Sequence, residues 1–151
     1  MEVLKVEELK KRYSKKSDLV VKGVSLSCGE GEIVGLLGHN GAGKSTVIKC
    51  IEGVLPFESG SISILGKDIK KDPVNAKKNM GFVTDNHAVF TAMTGVEYVN
   101  FLADIYGVST EDRKARLSKL QEVFRLGDPI YNLISSYSHG MKQKISMIGS
   151  L

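Results

Sequence analysis

A run of glycines that ends in lysine and serine is the segment of this sequence best suited to chemistry. Gly38, Gly43, Lys44 and Ser45 fill the fixed positions of the pattern G-x-x-x-x-G-K-[ST], the P-loop. Glycines let the backbone curl so that successive N–H groups point at phosphate oxygens, and a helix beginning at Lys44 directs its positive end to the same point. The Lys44 ammonium can reach the β- and γ-phosphates of a nucleotide, and the Ser45 hydroxyl can be a ligand of Mg²⁺. We therefore predict a phosphate site formed by Gly38, Asn40, Gly41, Ala42, Gly43, Lys44, Ser45 and Thr46, the last with a hydroxyl near the α-phosphate.

The apolar pattern predicts the elements that hold this loop. Ile33–Leu37 is a continuous apolar run directly before the glycines, which favours a fully buried strand. From Lys44 onward, apolar residues recur at helical spacing until Gly53 and Pro56 interrupt the pattern. Further strands are predicted at Val3–Glu7, Leu19–Cys28, Ser61–Leu65 and Met80–Thr84, with a short helix near Pro73–Lys78.

The remainder of the chain has a helical pattern. Thr94 and Glu97 have the spacing of a capping box, and the helix that they begin carries a stripe expected to be core: Tyr98, Phe101, Leu102 and Ile105. Ser109 is the expected N-cap of a second helix, whose apolar side is Leu117, Leu120, Val123 and Phe124. A third helix is predicted from about His139, with Met141, Ile145, Ile148 and Leu151 in register.

Composition restricts the class of protein. The 151 residues are 25% charged and 42% hydrophobic, which disfavours disorder, collagen and coiled coil. No apolar run approaches the roughly 18 residues of a membrane span, and no signal peptide is recognised, so we expect a cytoplasmic chain. The net charge of +4 comes with short basic clusters that lack interleaved aromatic residues, so we interpret them as solvated surface and expect no nucleic-acid partner. The clusters are Lys10–Arg12, Lys15–Lys16, Lys70–Lys71 and Lys77–Lys78.

A P-loop alone does not distinguish ATPases from GTPases or kinases. Asp85 follows the apolar residues Met80–Val83 and could be the magnesium-binding carboxylate of a complete small GTPase or kinase. Ala88, however, stands where a GTPase switch has glycine, and no Asn-Lys-x-Asp motif for reading guanine is present. This reading is therefore disfavoured.

Around the P-loop and along nearly its whole length, the sequence resembles the nucleotide-binding subunit of an ABC transporter, of the bacterial exporter type. The segment Gly38–Thr46 has that family's form of the motif, and Tyr13 stands where the family places an aromatic residue that stacks on adenine. Ser138 and Gly140 occupy positions of the family's signature motif, which contacts the ATP held by a partner subunit. Asp85 stands at the Q-loop position, where Gln or Glu is usual, so the resemblance implies at most a tentative Mg²⁺ ligand there. The alternative for Tyr13 is a loop residue that binds no ligand. The alternative for Ser138 is a plain helix N-cap.

The resemblance implies an α/β fold: the core of a P-loop NTPase of the ABC ATPase type, with N-terminal antiparallel strands and a helical subdomain. It implies a nucleotide-binding core at 1–85, a Q-loop region with the helical subdomain at 86–136, and the signature motif with the start of its helix at 137–151. The implied cofactors are ATP and Mg²⁺. The implied partners are membrane-spanning permease subunits and a second ATPase subunit arranged head to tail, on the inner face of the cell membrane.

The parts with which the family hydrolyses ATP follow the signature motif and are not recognised within these 151 residues: an apolar strand ending in Asp-Glu, a D-loop and a switch histidine. We therefore expect no catalytic residue within the chain, an N-terminal fragment able at most to bind Mg-ATP, missing C-terminal strands of the core sheet and poor independent stability. The alternatives are a non-catalytic nucleotide-binding fragment, and a soluble ABC or other P-loop NTPase not tied to transport.

Overall fold

The computed structural model describes residues 1–83 and 90–151, which form two compact units, Met1–Met80 and Gly81–Leu151. The first unit contains strands β1 (Glu2–Lys11), β2 (Val21–Gly29), β3 (Ser59–Ile64) and β4 (Lys67–Asp68), with helices α1 (Lys44–Ile51) and α2 (Pro73–Lys77). The second contains helices α3 (Gly95–Ile105), α4 (Thr110–Phe124) and α5 (His139–Ser150), and two 3₁₀ helices, Asp128–Tyr131 and Ile134–Ser136. None of the helices in the described parts of the chain combines the length and the apolar character that crossing a lipid bilayer requires.

An antiparallel sheet with strand order β2-β1-β3-β4 forms the first unit. The pairing between β1 and β2 is interrupted by a bulge in β1. There Glu8 has a positive φ of 46°, and the pairing register shifts between Val6 and Leu9. The bulge places Val6, Leu9 and Lys11 on the buried side of the strand, although their spacing is not a simple alternation. Gly60 lies against this bulge so closely that a Cβ on it would lie 2.5 Å from the Glu7 carbonyl oxygen. Only glycine therefore fits at that position.

Helix α1 packs on this sheet and lies directly behind the P-loop. Its residues Val47 and Cys50 are buried in one hydrophobic core with Leu9 of β1 and Ile62 of β3. Burial raises the pKa of the Cys50 thiol, which disfavours the reactive thiolate form. The helix that carries Lys44 is thus anchored on the sheet by its apolar side.

The predicted buried strand at Ile33–Leu37 is wrong. The segment has no regular structure, and Ile33 and Leu37 are 101% and 93% exposed. A strand forms only when a neighbour satisfies its N–H and C=O groups, and within the described residues the four paired strands leave this segment without one. The strand predicted at Met80–Thr84 is likewise absent over 80–83, and Thr84 lies outside the described residues.

The second unit is helical, and its predicted caps are confirmed. The Glu97 N–H donates to Thr94 Oγ1 at 3.3 Å, and the Thr94 N–H donates to Glu97 Oε2 at 2.8 Å, so the capping box is complete. Donation from the Thr94 N–H, and from the Thr94 hydroxyl at 2.9 Å, lowers the pKa of the Glu97 carboxyl. Ser109 caps α4 by accepting from the Asp112 N–H at 3.1 Å.

The predicted apolar stripes of this unit are only partly buried. In α3, Tyr98 is buried at 7% exposure and Leu102 packs against the core, whereas Ile105 is 62% exposed. In α4, Val123 is 64% exposed, while the other members of its stripe pack against the core at intermediate burial. The centre of this core also contains Ile130 and Ile134, one from each 3₁₀ helix. Its buried residues are Tyr98, Val99, Leu126, Ile130, Ile134, Tyr137, Ile145 and Ile148.

Glu52 gives a testable prediction about pH. It follows α1 directly and is buried, its Oε1 atom has no hydrogen-bond partner among the residues that the structure describes, and burial raises the pKa of its carboxyl. The native state therefore favours the protonated form, so Glu52 lowers stability increasingly as pH rises above the unfolded value of about 4.3. We expect Glu52→Gln to raise the free energy of unfolding at pH 7.5 by about 0.3–1 kcal/mol, since it also removes a negative charge from a helix C-terminus. Urea titrations at pH 7.5 and pH 4 measure this, and the gain should shrink at the lower pH.

Glu111→Gln is the control for this prediction. Glu111 lies in the first turn of α4, where the helix dipole favours a negative charge, so its replacement should lower stability slightly at pH 7.5. A Glu52→Gln chain that is less stable than the unaltered chain at both pH values would contradict the prediction.

Candidate functional site

The P-loop of the first unit is a tight turn that depends on its glycines. The Ala42 N–H donates to the His39 carbonyl at 3.2 Å, and Gly41 and Gly43 have positive φ values of 85° and 88°. A Cβ on Gly43 would lie 3.0 Å from the Val20 carbonyl oxygen, so this position excludes a side chain by contact as well as by backbone conformation. The loop is therefore held against the beginning of β2.

Helix α1 begins at the end of this loop with its N-terminus uncapped by side chains. Gly43 is the N-cap and provides no side-chain hydrogen bond, and no acidic residue lies in the first turn. The first turn of a helix has N–H groups without intrahelical partners, and the helix dipole places a partial positive charge there. The helix start is thus suited to an anion.

Lys44 contributes a cation to the loop. Its Nζ donates to the carbonyls of Gly38 at 2.6 Å and His39 at 2.8 Å, so the side chain folds back across the loop. Next to it, Ser45 is exposed and Thr46 is buried. One loop therefore presents an ammonium group, an accessible hydroxyl and a helix N-terminus.

Tyr13 lies next to the P-loop helix although 33 residues separate it from Thr46 in sequence. Its hydroxyl is hydrogen-bonded to Thr46 Oγ1 at 2.9 Å, and the residue is 61% exposed. An exposed aromatic ring beside a loop suited to an anion is an arrangement that could receive a base together with its phosphates. The structure thus brings together the predicted aromatic residue and the predicted phosphate loop.

Ser138 and Gly140 lie in the second unit, at the start of α5. Ser138 is the N-cap, and its Oγ accepts from the Met141 N–H at 3.3 Å. The capping role does not use the hydroxyl proton, which can still be donated. Gly140 is exposed in the first turn of the helix.

Asp85, the tentative Mg²⁺ ligand, lies outside the described residues.

Comparison with known proteins decides the family. The model of the family described as "ABC transporter" matches residues 21–151. The chain belongs to this family. The linearmycin resistance ATP-binding protein LnrL of Bacillus subtilis is 38% identical over 149 residues, covering 99% of this ABC transporter chain and 47% of LnrL. The ABC transporter ATP-binding protein NatA of the same organism is 30% identical over 152 residues, covering 99% of this chain and 62% of NatA.

A solved structure of an ATP-binding subunit of an ABC transporter matches the fold. Its TM-score is 0.91 at 31% sequence identity, covering 98% of this chain and 61% of that one. The mixed α/β fold with an antiparallel N-terminal sheet is therefore the predicted one. The chain spans about half to three fifths of the length of these ABC transporter relatives.

Two residues beside Tyr13, Lys11 and Glu58, have no functional signal in the sequence. The basic cluster Lys10–Arg12 predicts that Lys11 lies at the solvated surface, and this is wrong: Lys11 is 7% exposed, and its Nζ lies 3.8 Å from Glu58 Oε1. Glu58 also accepts from the Arg12 N–H at 2.7 Å. This hydrogen bond joins positions that are 46 residues apart. A pattern among neighbouring residues in the sequence therefore cannot predict it. The bulge in β1, which turns Lys11 inward, is equally invisible in the apolar pattern.

Proposed function

We propose that this chain binds Mg-ATP as the ATP-binding part of an ABC transporter, a protein that couples ATP binding and hydrolysis to transport across a membrane. The observation that carries the proposal is the Tyr13–Thr46 hydrogen bond, because it joins an exposed aromatic ring to an uncapped P-loop helix. The ABC transporter ATP-binding protein NatA and the solved ATP-binding subunit of an ABC transporter support it, as does the ATP-binding protein LnrL.

The residues of the loop fit a magnesium nucleotide. The N–H groups around Gly41 and Gly43 and the start of α1 would hold phosphate oxygens, and Lys44 would exchange its two carbonyl partners for the β- and γ-phosphates. The exposed Ser45 hydroxyl would be a ligand of Mg²⁺, whose charge neutralises the phosphates. Thr46 would lie near the α-phosphate and Tyr13 against adenine. Asp85 would contribute a further oxygen ligand.

The start of α5 fits the proposed partner subunit. Ser138 and Gly140 are exposed at a helix N-terminus, where a hydroxyl and backbone N–H groups suit a phosphate. The phosphate would belong to ATP held by a second ATPase subunit arranged head to tail. Permease subunits that span the membrane would choose the transported substrate and keep the protein on the inner face of the cell membrane.

We expect these 151 residues on their own to bind Mg-ATP without hydrolysing it. No Asp-Glu pair follows the signature motif within these residues, so no carboxylate there would polarise an attacking water. We expect phosphate release from Mg-ATP to stay at the rate of a protein-free blank while binding is retained. A steady turnover that Lys44→Ala removes would contradict this expectation.

Equilibrium dialysis with labelled ATP and Mg²⁺ tests the central part of the proposal. We expect about one nucleotide to bind per chain, and unlabelled tripolyphosphate to compete because the loop holds phosphates. Binding of no nucleotide at millimolar concentration would contradict the proposal.

Fractionation of the native cells tests the link to transport. A tagged chain should sediment with the membranes and be released by alkaline carbonate, which removes peripheral proteins. Recovery entirely outside the membrane fraction would contradict that link and favour an ABC ATPase that is not tied to transport.

A further inference from the structure

Glu58 contacts both residues that precede Tyr13. Its carboxylate accepts from the Arg12 N–H at 2.7 Å through Oε2, and its Oε1 lies 3.8 Å from the Lys11 ammonium. The Glu58 N–H donates to the Lys10 carbonyl at 3.0 Å, so the backbone of Glu58 is also tied to the end of β1. One residue directly before β3 therefore fixes the backbone that leads to Tyr13.

Lys11 links Glu58 to the ring of Tyr13. The Lys11 side chain is 9% exposed, and its Nζ lies over the Tyr13 ring, 5.8 Å from the centroid. This distance is within the range of a cation–π interaction. A buried ammonium is costly unless an opposite charge is near, and Glu58 supplies that charge. The ring of Tyr13 is thus covered by Lys11 while the residue as a whole stays 61% exposed.

We infer that Glu58 and Lys11 are positioning residues that hold the Tyr13 ring ready to stack on the base of the nucleotide, an inference that rests on the proposed function. Glu58 fixes the backbone at Arg12, Lys11 supports the ring, and Thr46 holds the hydroxyl at 2.9 Å. A ring that is already ordered loses less conformational entropy when it binds a base. The pair therefore raises affinity for the base without touching the phosphates.

This division of roles predicts a difference between two ligands. ATP uses both the ring and the P-loop, whereas tripolyphosphate has no base and uses only the loop. Base–aromatic stacking contributes enough that its complete loss costs roughly 5- to 150-fold in affinity, so losing only the ordering of the ring should cost about 3- to 10-fold. We expect Glu58→Ala to weaken Mg-ATP binding by this smaller factor and to leave Mg-tripolyphosphate binding unchanged.

The experiment is calorimetric titration of the full 151-residue chain with both ligands. Glu58→Gln keeps an acceptor for the Arg12 N–H and should recover part of the ATP affinity. Glu7→Ala is the matched control, because Glu7 lies in β1 with a comparable partner set, 2.6 Å from Lys5 and 3.0 Å from the Ser61 hydroxyl. It should bind both ligands as the unaltered chain does. In a Tyr13→Ala background, Glu58→Ala should weaken ATP binding no further, because the ring that it positions is gone.

Three results would overturn the inference while the proposed function stands. They are an unchanged ATP affinity in Glu58→Ala, an equal loss for ATP and tripolyphosphate, and a full additional loss in the Tyr13→Ala background. An unaltered chain that binds neither ligand would overturn the proposed function and this inference with it.

Discussion

Lys44→Ala is expected to weaken Mg-ATP binding by about 10- to 150-fold. The loss corresponds to roughly 1.5–3 kcal/mol, the usual contribution of hydrogen bonds made by a charged group. Lys44 Nζ contacts two carbonyls at the beginning of the loop, so its ammonium already lies where phosphate oxygens would replace them. Calorimetric titration of the variant with Mg-ATP measures the effect, and Mg-tripolyphosphate should show a comparable loss because the interaction is with phosphate.

Lys49→Ala is the matched control for this prediction. Lys49 lies in the last turn of the same helix and is exposed, so its removal takes the same charge from the chain without affecting the loop. We expect a change of less than about twofold, because a single exposed charge is screened by salt. Equal losses in the two variants would indicate a general charge effect and would contradict the role of Lys44.

Leu9→Ala is expected to lower the free energy of unfolding by roughly 3–5 kcal/mol. Leu9 is 0% exposed in the core that joins β1 to α1, so the truncation removes apolar contacts and leaves a cavity. The same core holds Val47 of α1, and we therefore expect the P-loop helix to be destabilised together with the sheet. Urea titration followed by circular dichroism measures the effect.

Val74→Ala is the control for the core prediction. Val74 lies in α2 and is 64% exposed, so the same kind of truncation should change the free energy of unfolding by no more than about 0.5 kcal/mol. Similar losses at Leu9 and Val74 would mean that the sheet and α1 do not share a cooperative core.

The phosphate loop was predictable because its geometry is local. Glycines with positive φ, a lysine that folds back over the loop and a helix that begins at once all follow from eight consecutive residues. The caps at Thr94, Ser109 and Ser138 were predictable for the same reason, since each side chain bonds to a backbone N–H three residues further on.

The failures concern contacts between distant parts of the sequence. Ile33–Leu37 has the composition of a buried strand, but a strand also needs neighbours that its own residues do not encode. Lys11 belongs to a basic cluster typical of surface, yet a bulge turns it inward toward Glu58. The core of the second unit includes Ile130 and Ile134 in 3₁₀ helices, whose three-residue pitch produces too short a pattern to recognise.

A thermal melt of the chain with and without Mg-ATP tests nucleotide binding most directly. Binding to the native state alone stabilises by about 2.7 kcal/mol at a ligand concentration 100 times the Kd, which for a chain of this size raises the Tm by roughly 5–10 °C. We predict a rise of this order in the unaltered chain, and at the same ATP concentration a rise of about half that size or less in Lys44→Ala, because its affinity is expected to be 10- to 150-fold weaker. An unchanged Tm in the unaltered chain, or an equal rise in both chains, would contradict the assignment of the P-loop as the nucleotide site.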